Sequence, residues 1–66
     1  MTRIFICNPG SSEPLWVGQV SHVPRVGERV ALWHESPVVT LLVQDVILRL
    51  PENEVYVYGT RDEARR

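Results

Sequence analysis

Lysine is absent from this chain of 66 residues, cysteine occurs once, and no apolar run approaches membrane-spanning length. Each absence closes a class of function. The seven basic residues are all arginine and are outnumbered by eight Asp and Glu, giving a formal net charge of −1. That balance removes the electrostatic basis for nonspecific binding to duplex nucleic acid. The arginine bias fits either a GC-rich coding genome or a use for planar guanidinium groups. The lone Cys7 has no partner for an intrachain disulfide, and no Cys, His or Asp stands at the C-x-x-C or H-x-x-x-H spacing of a zinc site. No metal and no cofactor is therefore expected. The N-terminus lacks the basic segment and long apolar run of a signal peptide, and a bilayer-spanning helix needs about 20 apolar residues. The expectation is a cytoplasmic protein without membrane contact, in the host cytoplasm if a phage encodes it.

What the chain has in quantity is strand pattern, in a single domain spanning residues 1–66. In Ile4 to Cys7 two isoleucines alternate with Phe5 and Cys7, and in Val55 to Tyr58 two valines alternate with two tyrosines. Asn8 to Pro14 concentrates turn formers, and Leu15 to Val23 resumes as a strand in which Gly18 marks a bend or a close approach. Arg25-Val26-Gly27-Glu28 is a tight connection to a strand over Arg29 to Glu35, and Ser36-Pro37 turns the chain again. The longest run, Val38 to Leu50, changes phase. Val39, Leu41 and Val43 share one register and Val46, Leu48 and Leu50 the other, so a β-bulge is predicted at Gln44-Asp45, with both trios reaching the interior. Pro51 to Glu54 turns into a last strand over Val55 to Gly59. Thr60 with Glu63 suits a brief capping box before a short frayed tail. The pattern predicts an all-β fold, a five-stranded small barrel with a strongly bent fourth strand.

The span Val23-Pro24-Arg25-Val26-Gly27-Glu28-Arg29-Val30, followed by Val43-Gln44-Asp45-Val46 and Val55-Tyr56-Val57, resembles small uncharacterised β-barrel proteins of phage and bacterial genomes. Their pattern reads V-P-x-x-G-[DE]-x-V, then V-x-x-V, then V-x-V. The resemblance covers about two-thirds of the chain and implies a Src-homology-3-like or related barrel. Pro24 and Gly27 carry turn chemistry in that pattern and the valines fill the interior, so it transfers no catalytic role. It does not reach Asn8 to Pro14.

Chemistry-bearing residues are few. Cys7 with His22 or His34 is the only nucleophile and base combination, and a buried structural thiol is the simpler reading. Asn8 to Ser12 offers hydroxyls and amides to an anion but lacks the Gly-Lys-Ser/Thr ending of a phosphate-binding loop. The acidic residues are scattered through turns and edges, so no acid and base pair is proposed and no enzymatic activity is expected. The constellation with a functional logic is Arg25, Arg29 and Arg49 with Trp16, Trp33, Tyr56 and Tyr58. Guanidinium forks pair with phosphates while indole and phenol rings stack on bases.

A surface of Phe5, Trp33, Tyr56 and Tyr58 is more apolar area than a soluble monomer usually exposes. The expected function is that of a nonenzymatic, phage-type homo-oligomer that sequesters a small phosphate-bearing ligand, such as a nucleotide defence signal, at a subunit interface. The ligand-binding residues would be Arg25, Arg29, Trp33, Arg49, Tyr56 and Tyr58. Two alternatives stand beside it: a protein-interaction module that inhibits or tethers a host or phage protein, and a single-stranded nucleic-acid binder.

Overall fold

The computed structural model describes residues 1–33 and 38–62. Five strands carry the chain: β1 (Thr2–Cys7), β2 (Trp16–Val20), β3 (Arg29–Leu32), β4 (Val39–Arg49) and β5 (Glu54–Arg61). There is no helix among the described residues, and hence none long and apolar enough to cross a membrane. The strands form one sheet in the order β2-β1-β5-β4-β3. All neighbours are antiparallel except β1 and β5, which run parallel from Arg3 opposite Glu54 to Cys7 opposite Tyr58.

Period-two alternation gives this sheet two unlike faces. On the inner face Ile4, Ile6, Leu32, Leu41, Val43, Val55 and Val57 form the buried core. Trp16 and Val20 of β2 pack against that cluster, and so does Val30 of β3. Because β2 and β3 are opposite edges of the sheet, the sheet must curl to bring both onto one core. The result is a half-barrel whose seam, between β2 and β3, is not closed by pairing. Each fully buried aliphatic side chain contributes about 2 kcal/mol.

The turn between β2 and β3 is fixed by its own chemistry. Glu28 N donates to Arg25 O at 3.0 Å, and Gly27 adopts φ 95°, the left-handed region that a type II turn demands at its third position. Gly27 N also donates to Val43 O, and Val43 N to Glu28 O, so this turn is stitched onto β4.

The phase change in β4 is a bulge, as expected: the register with β5 shifts between Val43 and Asp45. Its consequence differs from the expectation. Val46 packs on the core, but Leu48 is 55% and Leu50 67% exposed. The reason is topological, since β3 pairs only with Val39 to Leu42 and leaves the far half of β4 without a strand beyond it. The residue expected to open a capping box is a strand residue. Thr60 lies within β5, which runs two residues past the expected end, and its hydroxyl accepts from Gln44 Nε2 at 3.2 Å. Glu63 and the tail, like His34 to Pro37, lie outside the described residues.

Candidate functional site

The open seam of the half-barrel is a cleft. Its floor is Ile4 and Ile6 of β1, and its walls are Trp16 and Val20 on one side and Val30, Leu32 and Trp33 on the other. The volume is about 350 Å³, within the range of small-molecule pockets. Two local features shape it. Gly18 has no side chain where the Trp16 indole lies: a Cβ there would stand 2.4 Å from Trp16 Cη2, so the glycine is what lets the ring fold across β2. Trp33 follows directly on β3 and is 78% exposed, leaving a second indole at the rim.

A shallower, polar depression adjoins the cleft and shares Pro24 and Val30 with it. His22, Glu28 and Arg29 line it. Arg29 Nε sits 2.8 Å from Asp62 Oδ2, yet the arginine side chain stays 68% exposed. Glu28 Oε1 accepts from Arg25 N at 2.7 Å and lies 3.5 Å from His22 Nε2. The Arg25 N–H, with His22 adding to it, holds the Glu28 carboxyl below the usual carboxylate range. Arg25 thus serves the turn through its main chain.

The remaining predicted residues lie on the outer face. Tyr56 stacks on Phe5 with ring centroids 4.6 Å apart and planes 7° from parallel. Arg49 lies over the Tyr56 ring at 5.8 Å and donates from Nη1 to Tyr56 Oη at 3.2 Å. Arg3 lies over Phe5 at 5.4 Å. A recess of about 360 Å³ runs beside this group, lined by Ile47, Leu48, Arg49, Leu50, Tyr56 and Tyr58.

The sequence constellation is therefore divided among three places. Trp16 and Trp33 flank the cleft, Arg29 lies beside it, and Arg49, Tyr56 and Tyr58 share the other side of the sheet. The apolar surface expected of Phe5, Trp33, Tyr56 and Tyr58 is split in the same way. Sequence reasoning passed over Val20 and Pro24 of the cleft and Arg3 of the outer face. Alternation in β1 places Arg3 with Phe5 and was the available signal for it.

Cys7 is buried, and burial pushes its thiol up, away from the thiolate that nucleophilic chemistry uses. The β1 and β2 register sets His22 beyond the Thr2 end of β1, the opposite end from Cys7. In the loop after β1, the Ser11 hydroxyl bonds within the loop, to Glu13 O at 3.3 Å, and Glu13 N donates back to it. Among the described residues no three His, Cys, Asp or Glu side chains gather as metal ligands would. Comparison of the chain with known protein families, curated proteins and solved structures finds no match.

Proposed function

We propose that this chain is a nonenzymatic binding protein, acting as a homo-oligomer, that sequesters a small molecule with an aromatic ring and a phosphate, such as a nucleotide defence signal. The observation that carries this reading is the cleft with its polar neighbour. An apolar recess of about 350 Å³ flanked by two indoles adjoins a depression bearing Arg29 and His22. A ring held between Trp16 and Trp33 would set its phosphate toward the adjoining depression, whose lining of His22 and Arg29 offers it hydrogen-bond donors. A single protomer offers this volume, so this reading takes the cleft as the ligand's site in place of the expected subunit interface. A Src-homology-3-like barrel, a phage origin and a cytoplasmic setting belong to the same reading and rest on the sequence pattern.

A second reading, a protein-interaction module, draws support from the far end of β4, where Ile47, Leu48 and Leu50 stand exposed around a recess that Tyr56 also lines. Native mass spectrometry of the purified protein separates the two. A retained phosphate-bearing small molecule, confirmed by calorimetry with that compound, supports sequestration. Bare subunits that also ignore a nucleotide panel favour the module.

A further inference from the structure

Three rows of side chains cross the outer face, perpendicular to the strands. The middle row is Val17, Phe5, Tyr56 and Ile47, one residue from each of four neighbouring strands. One flank is Gln19, Arg3, Glu54 and Arg49, and the other is Cys7, Tyr58 and Asp45. The middle row is apolar, with Val17 and Ile47 exposed at its ends. The flanks differ in sign: two arginines and a glutamate on one, a single aspartate on the other.

The rings of the middle row are already engaged on their faces, Tyr56 by Phe5 and Arg49, and Phe5 by Tyr56 and Arg3. They present edges outward, so an apolar side-chain row suits them better than a base seeking a ring to stack on. A second copy of the same face supplies that partner. Two sheets stacked face to face by a two-fold axis are related by an axis lying either along the strands or across them. An axis along the strands sets arginine flank on arginine flank. An axis across the strands, following the middle row, reverses the strands and sets each flank on the opposite one.

The register makes the second arrangement self-complementary. Ile47 lies midway between Asp45 and Arg49 on β4, so the rotation carries each of those onto the other's position. Tyr56 lies midway between Glu54 and Tyr58 on β5, which sets a carboxylate against a phenol. Both members of the ionic pair are prepared for it. Arg49 is held on the face by Tyr56 Oη, and Asp45 uses Oδ1 to accept from Val46 N at 2.9 Å, leaving Oδ2 without a partner among the described residues.

We propose that two copies of this chain stack through their outer faces with strands reversed, Arg49 of each copy pairing with Asp45 of the other. The proposal rests on the homo-oligomer of the function above and names its surface. The ligand cleft lies on the other face of the sheet, so either idea can fail alone. Sedimentation equilibrium on the whole chain tests it, with circular dichroism confirming that each variant is folded. The wild type should be a dimer. Arg49→Asp or Asp45→Arg alone sets like charges together and should weaken the dimer roughly a hundredfold, and the double exchange should restore it to within about tenfold. Val17→Glu, which sits on the axis and faces its own copy, should also give monomers. A monomeric wild type, a dimer indifferent to the single reversals, or a folded double variant that stays monomeric overturns the proposal.

Discussion

Gly59 of β5 lies against the main chain of β4: a Cβ added to it would stand 3.0 Å from Leu42 O and 3.1 Å from Leu41 Cβ. Gly59 is buried and pairs with Val43, the residue at which the bulge begins. The close approach therefore belongs to the bend that curls the sheet. Gly59→Ala must push β4 backbone away, and overpacking of this kind costs about 1 to 3 kcal/mol. Urea unfolding should show a lower midpoint with an unchanged slope, and a midpoint equal to the wild type would remove this account of the bend.

Gly18→Ala makes a different demand, because the obstructing atoms belong to the Trp16 ring and not to backbone. The indole should swing out of the cleft while the sheet persists. In a Trp33→Phe background, Trp16 emission should shift to longer wavelength as the ring meets water. Emission that stays in place would show that the ring does not depend on the glycine.

Arg29→Ala and Trp33→Ala separate binding from folding. Trp33 and the Arg29 side chain are both largely exposed, so each change should move stability by no more than about 1 kcal/mol. A phosphate-bearing ligand recovered from the protein should lose about 1.5 to 3 kcal/mol of affinity with Arg29→Ala, the worth of a charged hydrogen bond. Calorimetry showing undiminished binding in both variants excludes the cleft.

Glu28 gives the turn a pH dependence with a definite sign. Its carboxyl is held below the usual range chiefly by the Arg25 N–H, so its contribution is present above the ordinary carboxylate range and fades as acid protonates the folded group. The wild type should therefore exceed Glu28→Gln in urea midpoint near neutral pH, with the gap closing under acid. A gap that is constant with pH contradicts the assignment.

The Cys7 thiol should react slowly with an aromatic disulfide reagent in the folded protein and quickly in urea, since burial both covers it and disfavours its thiolate. Equal rates in the two states would place it at the surface.

Much of this fold was legible because its signals are local. Alternation located the five strands, Gly27 and its neighbours fixed a turn, and two apolar trios out of phase revealed the bulge. What the trios could not reveal was how far β3 would follow β4, and that long-range pairing decides that Leu48 and Leu50 face water. The same limit governed the site. Arg29, Arg49, Trp33 and Tyr56 look alike as recognition chemistry in one dimension, but only strand order shows that Trp33 rims the cleft while Arg49 and Tyr56 share the outer face. Trp16 was named for its ring, whereas its place in the cleft depends on the empty position at Gly18, a contact between residues two apart on one strand that alternation alone does not predict to be so close.

The parallel pairing of β1 with β5 has a consequence for how the chain reaches this state. Strands β1 and β2 form one hairpin and β3 to β5 one meander, each made of neighbours in sequence, whereas the β1 and β5 pairing that joins them sets residue 3 opposite residue 54. Closing so long a loop delays the reward of its contacts, so docking of the two pieces is the step expected to limit the rate. During synthesis the hairpin emerges first and must wait for the last strand with one edge of β1 bare. That edge carries Ile4 and Ile6, the floor of the cleft, and until β5 arrives it is the part of the molecule most open to pairing with the wrong strand.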